Sequence, residues 1–252
     1  MDLLDENVVL LAGVTGRVGG APLVRFVREG ARVVVISRDV ARAQAKIDEL
    51  VEPPDRSRTL AIAADLNDPA SCAVAVDACV TTFGRLDALV NLAGAGWRRK
   101  PFTDSRLDDL RATLAEVVET AYNISQAAVR AMLAQPYRDG ARSRGRIVTV
   151  TATSAHSPQP AFSAYVTGKA AVDGLMLAIA REFRGQGIVA NALLSTGIAF
   201  PGADHFRSEE QRAAAVQPEE IADALAFLAS DAASGINGAL IDITGRIVER
   251  GS

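Results

Sequence analysis

VVLLAGVTGRVG, at positions 8–19, is the segment from which the architecture of this chain follows. Its five apolar residues, Val8–Ala12, predict a buried strand, and a glycine-rich turn leads from them into a helical pattern. Such a turn presents bare backbone N–H groups and the positive end of a helix to a pyrophosphate, although a tight turn without a ligand has the same residues. The residues expected to contact a dinucleotide here are Gly13, Thr15, Gly16, Arg17, Val18 and Gly19.

The rest of the chain alternates short apolar runs with longer helical patterns. This predicts one domain over residues 1–252, an α/β fold with a Rossmann-type, doubly wound parallel sheet of about seven strands and helices on both faces. The predicted strands are Val8–Ala12, Ala31–Ser37, Thr59–Ala63, Leu86–Asn91, Arg146–Thr151, Ile188–Leu193 and Ala239–Ile243. The predicted helices are Gly19–Glu29, Val40–Leu50, Pro69–Phe83, Arg106–Ala134, Ala161–Arg184 and Pro218–Ala229. The polar stretch Ser195–Val216 is expected to be a mobile insert that covers the substrate pocket.

Composition excludes several classes of function. The net charge is −3, with 27 basic and 30 acidic residues, whereas binding to nucleic acid needs a concentrated basic face. No apolar run approaches the ~20 residues that span a bilayer, and the acidic start of the chain is unlike a signal peptide, so we expect a cytoplasmic protein.

Cysteine and histidine usage predicts neither a disulfide nor a metal site. Cys72 and Cys79 are seven residues apart on one predicted helix, which puts their Cα atoms about 10 Å from each other. His156 and His205 are isolated in the sequence. We therefore expect free, buried thiols and no metal.

The residues after the second and third predicted strands are expected to contact the adenosine half of a dinucleotide. Ser37 and Arg38 stand where an acidic residue would bind the ribose hydroxyls of NAD(H), and a guanidinium there suits a 2′-phosphate, so NADP(H) is favoured over NAD(H). Asp65, with the adjacent Leu66, is a candidate contact to the adenine. The alternatives are that Arg38 caps a surface strand and that Asp65 caps the helix beginning near Asp68.

Two motifs in the middle of the chain are more specific. Residues 91–94 are Asn-Leu-Ala-Gly, and residues 165–169 are Tyr-Val-Thr-Gly-Lys. They resemble the Asn-Asn-Ala-Gly and Tyr-x-x-x-Lys elements of the short-chain dehydrogenase/reductase family, and the resemblance covers nearly the whole chain. It implies cofactor contacts from Asn91, Ala93 and Gly94, a small-molecule carbonyl or alcohol substrate, and a homotetramer or homodimer paired through helices 106–134 and 161–184.

The resemblance assigns the proton chemistry to Tyr165 and Lys169. Residues four apart share one helix face, so both side chains point into one cleft. A free tyrosine has a pKa near 10, and lowering it to about 7 requires about 4 kcal/mol of preferential phenolate stabilisation. A neighbouring ammonium and a positive nicotinamide supply that stabilisation, and Lys169 also holds the nicotinamide ribose. The alternative is an exposed tyrosine beside a surface lysine.

The active site is degenerate in comparison with the family pattern. Ala152 stands thirteen residues before Tyr165, where the family has a serine that donates to the substrate oxygen. Ser154 shares the strand parity of Ala152 and is the remaining candidate donor after a local distortion. Val117 stands where the family has an asparagine, and Asn123 is six residues along and points elsewhere.

Further departures keep more than one function open. Arg17 occupies a position where compact family members have glycine, and it either pairs with a cofactor phosphate or obstructs the pyrophosphate path. Leu194-Ser195-Thr196-Gly197 replaces the usual Pro-Gly. Phe200, Phe206 and Trp97 suggest an apolar ligand or plug the core. The expected function is an NADP(H)-dependent oxidoreductase; the alternatives are an impaired nucleotide-binding protein with a sensing or interaction role, and an enoyl reductase.

Overall fold

The computed structural model describes residues 3–94, 98–200, 202–203, 206 and 208–246. Seven parallel strands form one sheet in the order β3-β2-β1-β4-β5-β6-β7. They are β1 (Val8–Ala12), β2 (Arg32–Ser37), β3 (Thr59–Ala63), β4 (Ala88–Asn91), β5 (Gly145–Ala152), β6 (Ile188–Ser195) and β7 (Leu240–Ile243). The predicted fold class is thus confirmed.

Helices cover both faces of this sheet. Within the described ranges they are α1 (Gly20–Arg28), α2 (Val40–Leu50), α3 (Pro69–Phe83), α4 (Leu107–Thr113), α5 (Thr120–Ala134), α6 (Ser163–Glu182), α7 (Glu209–Ala214) and α8 (Pro218–Ala229). The pleat of β1 divides the core, because Val9 and Leu11 pack with α1, α2 and α8, whereas Val8 and Leu10 pack with α3, α5 and α6. Cys72 and Cys79 are buried in the second layer as free thiols.

The strand order reverses between β1 and β4, and this reversal positions the site. The register pairs Ala12 with Ile36 on one side and with Asn91 on the other. The carboxyl ends of β1, β2 and β4 therefore meet at one edge of the sheet, where open α/β folds bind ligands. The glycine turn (residues 13–19) leaves from this edge.

One prediction about the helices was wrong. The predicted helix Arg106–Ala134 begins at Leu107 and is interrupted, because Leu114–Glu119 form a π-helical turn between α4 and α5. Hydrophobic periodicity does not encode this short-range backbone geometry. The insert Ser195–Val216 contains α7, whose start is capped by the Ser208 side chain.

Neither a membrane span nor a metal cluster is found in the described part of the chain. No helix there is both long and apolar enough to cross a bilayer. No group of three or more His, Cys, Asp or Glu side chains is placed there to hold a metal ion.

Candidate active site

The glycine turn comes so close to the loop after β4 that side chains do not fit between them. Gly13 has φ +93°, and a Cβ on it would lie 2.8 Å from the Ala93 nitrogen. A Cβ on Gly19 would lie 2.3 Å from the Gly13 carbonyl oxygen. No side chain caps the start of α1, and no acidic residue lies in its first turn. The first N–H groups of α1 are thus available to an anion.

Arg17 is directed at the insert. Its guanidinium lies over the Phe200 ring, 4.9 Å from the centroid. The Arg212 side chain in turn donates to the Phe200 carbonyl over 3.1 Å. Arg17 therefore links the glycine turn to the segment that follows β6. Trp97, the other aromatic residue expected at the pocket, lies outside the described residues.

Ser37 and Arg38 lie at the predicted place, after β2. Ser37 accepts from the Asp39 nitrogen at 3.2 Å, and Arg38 is exposed, with no hydrogen bond or ion pair to any other described residue. The sequence reasoning missed Arg42, whose guanidinium donates to the Thr15 carbonyl at 3.2 Å. Its position one turn into α2 was the only signal. Two guanidinium groups therefore flank the carboxyl end of β2.

Asp65 and Leu66 lie in the loop after β3, where Asp65 contacts its own loop and Leu66 contacts α5. Asp65 is exposed and accepts from the Asn67 nitrogen at 3.0 Å. The helix α3 is capped by Asp68, which accepts from the Ala70 nitrogen, so the capping role considered for Asp65 is wrong. The Leu66 carbonyl accepts from Asn123 at 3.0 Å, which shows that Asn123 is directed away from Lys169.

The Asn91–Gly94 loop lies between the glycine turn and α6. Asn91 is fully buried; its Oδ1 accepts from the Ala93 nitrogen at 2.9 Å, and its Nδ2 has no partner among the described residues. Gly94 has φ +150°, and a Cβ there would lie 3.7 Å from Lys169 Nζ. The backbone of this loop is thus open toward the lysine.

Tyr165 and Lys169 share the inner face of α6. The ammonium lies 5.8 Å from the centroid of the tyrosine ring and donates to the Val150 carbonyl at 3.3 Å. Burial lowers the pKa of Lys169 from 10.5 to about 8, against the opposing charge of Asp173. Burial also raises the pKa of Tyr165 from 10 to about 12. Both groups are therefore held closer to their neutral forms than in water.

Val117 adjoins Lys169, in the place where the family pattern has asparagine. It lies in the π-helical turn, is 2% exposed, and has its Cγ2 atom 3.9 Å from where a Gly94 Cβ would stand. A Cβ on Gly168 would lie 3.6 Å from the Val117 Cβ. Val117 and the ammonium therefore both lie close to the same point beside Gly94, and the valine side chain adds apolar surface to this part of the site.

Ala152 ends β5 and offers no donor. It is 7% exposed. Ser154 lies in the short 3₁₀ turn Thr153–Ala155 and is half-buried, and its hydroxyl has no hydrogen bond among the described residues. Thr151 is buried, and its hydroxyl lowers the pKa of the Asp173 carboxyl. Ser154 is thus one of the hydroxyls in this segment that have no hydrogen bond among the described residues.

A small cavity lies against Tyr165. Its volume is about 180 Å³. The Lys100 ammonium and the Asp109 carboxylate on its wall pair at 2.6 Å. Hydroxyl-bearing residues supply other parts of the wall; these are Ser105, Thr113 and Ser163. The wall also carries Arg98 and Asp108, so its two basic and two acidic side chains balance in charge.

Known proteins with similar sequence and structure are oxidoreductases. A family model described as enoyl-(acyl carrier protein) reductase matches residues 18–245. D-threitol dehydrogenase of Mycolicibacterium smegmatis is 31% identical, over 96% of this chain and 93% of that protein. A-factor type gamma-butyrolactone 1'-reductase of Streptomyces virginiae is 32% identical, over 96% of each. The structure of 3-ketoacyl-(acyl-carrier-protein) reductase from Brucella melitensis, complexed with NADH, has a TM-score of 0.84 at 27% identity and covers 96% of this chain and 98% of that chain.

The fold and the site define a Rossmann-type oxidoreductase that uses a nicotinamide cofactor. Within that class, the chain belongs to the short-chain dehydrogenase/reductase family.

Proposed function

We propose that this protein is an NADP(H)-dependent oxidoreductase that interconverts a carbonyl and an alcohol on a small molecule, with Tyr165 as acid/base and Lys169 as its activator. The observation that carries the proposal is that these two side chains meet on one face of α6, with the ammonium beside the open backbone of Gly94. A structural tyrosine and a surface lysine would not be buried together at the edge of the sheet where ligands bind.

The residues present fit a dinucleotide. Cβ atoms on Gly13 and Gly19 would collide with backbone, which leaves a smooth surface for close approach. The uncapped start of α1 supplies N–H donors for a pyrophosphate, with Thr15, Gly16 and Val18 along the path. The other side of the proposed dinucleotide site is the loop after β4, with Asn91, Ala93 and Gly94. When bound, the nicotinamide supplies or accepts the hydride.

A preference for NADP(H) is supported by charge. Arg38 and Arg42 flank the end of β2, and Ser37 adds a hydroxyl, whereas the carboxylate of Asp39 caps α2 by accepting from the Arg42 nitrogen. Guanidinium groups bind phosphate through two parallel hydrogen bonds. A 2′-phosphate is therefore favoured over free ribose hydroxyls.

In the reduction direction, Tyr165 donates its proton to the carbonyl oxygen while the carbon receives hydride. The raised pKa of Tyr165, about 12, keeps this proton in place at neutral pH. The Lys169 ammonium then stabilises the phenolate that is left. Because Ala152 cannot donate, we assign the hydrogen bond to the substrate oxygen to Ser154.

A small, polar substrate is supported by the cavity beside Tyr165. Its volume of about 180 Å³ suits few heavy atoms, and its walls carry hydroxyls and a neutralised ion pair. One of the relatives, D-threitol dehydrogenase, is named for a small polyol. We extend the proposal to short hydroxyketones and polyols.

Turnover at 340 nm tests the proposal directly. NADPH with short hydroxyketones is expected to give activity that Tyr165→Phe lowers by about 10²–10⁴-fold, while NADPH fluorescence on binding stays unchanged. Tyr122→Phe, at a tyrosine exposed on α5, is the matched control. If NADPH binds and no carbonyl compound is reduced, or Tyr165→Phe retains full activity, the proposal is wrong.

We also propose a homotetramer or homodimer in the cytoplasm, paired through α5 and α6. The outward face of α6 carries small exposed residues, which are Ala170, Ala171, Gly174 and Ala178. Small residues permit close helix approach, and free thiols suit a reducing compartment. Light scattering that gives a monomer at micromolar concentration would contradict the oligomer.

A further inference from the structure

α6 carries a second buried charged side chain one turn beyond Lys169. The Asp173 side chain is 2% exposed. One carboxylate oxygen, Oδ2, lies 2.9 Å from His156 Nε2, and the other, Oδ1, has no hydrogen-bond partner among the described residues. Since an ionised carboxylate only accepts, the Nε2 nitrogen is the donor in this contact. A buried carboxylate is costly even with the His156 and Thr151 contacts unless another charge compensates it.

The opposite charge that acts on Asp173 from α6 is Lys169, although the two groups form no direct ion pair in the described part of the chain. Residues four apart lie on one helix face, so the ammonium and the carboxylate share the inner side of α6. Lys169 is 8% exposed, and its nearest surroundings include the apolar Val117 side chain and the Val150 carbonyl. The Asp173 charge is the effect that raises the pKa of Lys169 against its burial.

The groups that act on Asp173 come from three segments. His156 reaches it from the segment after β5, the Thr151 hydroxyl from β5 itself, and Lys169 from α6. All three lower the pKa of the Asp173 carboxyl, although burial outweighs them and leaves it raised. His156 is half exposed, so it joins this buried pair to the protein surface.

We infer that Asp173 is a positioning residue whose carboxylate keeps the Lys169 ammonium charged, and that the hydrogen bond from His156 keeps this carboxylate ionised. The inference rests on the proposed function, since it matters for catalysis only if Lys169 activates Tyr165. The Asp173 carboxylate would then balance the charge of the Lys169 ammonium in a part of the site where Val117 offers no polar group. A purely structural role, in which His156 only fastens the loop to α6, makes different predictions.

The chain contains three lysines, Lys46, Lys100 and Lys169, so their side-chain amines are resolved individually by NMR. Protein labelled with ¹³C and ¹⁵N at lysine is titrated, and Lys46→Arg and Lys100→Arg assign the signals. Asp173→Asn keeps the shape and removes the charge. We expect it to lower the pKa of Lys169 by about one unit or more, with Lys46 and Lys100 unmoved. A folded Asp173→Asn protein whose Lys169 titrates as in the wild type overturns the inference.

Variants of His156 provide the second arm, which does not depend on Asp173→Asn folding. His156→Ala is expected to lower the pKa of Lys169 in the same direction by a smaller amount, and His156→Gln, which keeps an N–H donor, is expected to restore it. If His156→Ala leaves Lys169 unchanged, the role of His156 is overturned. If Asp173→Asn does not fold, that same result overturns the whole inference.

The titration needs no turnover, so its outcome is independent of the proposed function. When the wild type reduces carbonyl compounds, the pH profile of kcat/KM provides a further readout. Asp173→Asn is expected to move the limb that reports Lys169 to lower pH without changing NADPH affinity. A uniform loss of rate at all pH values, with the profile unmoved, indicates structural damage and overturns the positioning role.

Discussion

The Lys169 ammonium lies 5.8 Å from the centre of the Tyr165 ring, and its hydrogen bond goes to the Val150 carbonyl. The cation thus contacts the tyrosine through the ring. The phenol keeps its proton, because burial raises the pKa of Tyr165 to about 12. The two side chains are assembled on α6, and a bound cofactor with a positive nicotinamide would supply further stabilisation of a phenolate.

The buried lysine should make stability depend on pH in a defined window. The pKa of Lys169 is about 8 in the folded protein and 10.5 ordinarily, so the unfolded chain binds more protons between these values. Lys169 therefore contributes an increase of about 2 kcal/mol to the free energy of unfolding from pH 8 to pH 10. The raised pKa values of Cys72, Cys79 and Tyr165 act in the opposite direction as the pH rises above about 9. Urea unfolding at several pH values measures the Lys169 contribution as the difference between the wild type and Lys169→Met, which should grow by about 2 kcal/mol between pH 8 and pH 10. An equal slope in both proteins contradicts the assignment.

Restoring a donor at the end of β5 should accelerate carbonyl reduction. Ala152→Ser adds a hydroxyl thirteen residues before Tyr165, and one such donor contributes about 10²–10³-fold to the rate. Because Ser154 is assigned this hydrogen bond, we expect the gain in the Ser154→Ala background, where Ala152→Ser should raise kcat with little change in KM; Ser157→Ala, at an exposed serine nearby, serves as control. If Ala152→Ser changes nothing and Ser154→Ala lowers kcat, Ser154 already supplies the full effect.

An amide beside the ammonium should raise the pKa of Lys169. Val117→Asn places a carbonyl oxygen on the side of the ammonium where Val117 offers only methyl groups, and the charged form is expected to gain a hydrogen bond. The lysine NMR titration is expected to move by about one unit toward the ordinary value. Val118→Asn, on the neighbouring residue of the same turn, is the control. A Lys169 signal that titrates identically in Val117→Asn would refute this description of the wall.

Arg38 should contribute to the affinity for NADPH and not to the affinity for NADH. Arg38→Ala removes a guanidinium that has no other partner among the described residues, so the loss falls on the ligand. We expect the Kd for NADPH to rise about 10- to 100-fold and that for NADH to stay within about twofold. Arg111→Ala, at an exposed arginine on α4, is the control for lost positive charge. Equal weakening for both cofactors indicates that Arg38 does not contact the 2′-phosphate.

The fold was predictable because its signals are local. Val8–Ala12, Thr59–Ala63 and Val40–Leu50 begin and end where the sequence pattern predicts. Fully apolar runs mark strands that are covered on both faces, and Asp39 and Asp68 mark helix starts.

The candidate site was predictable only in part. The position that the family resemblance gives to an asparagine is Val117, and its Cγ2 atom and Lys169 Nζ both lie within 4 Å of where a Gly94 Cβ would stand. The His156–Asp173 contact was missed, because it joins a loop to a helix and no periodic pattern records the path of a loop. The contact of Arg17 with Phe200 was missed for the same reason.

The π-helical turn Leu114–Glu119 joins α4 and α5 into one continuous helix and changes which side of that helix faces the rest of the protein. A π turn holds one more residue than an α turn, so the segments on either side are offset in phase by about 100°. Upstream, Thr113 is directed at Gly168 of α6, while downstream Ile124 is directed into the core under the sheet. Deleting a single residue from 114–119 would bring the two halves into phase and rotate Thr113 away from α6. The phase offset therefore determines which side chains of this helix face α6 and Lys169, independently of the residue type at position 117.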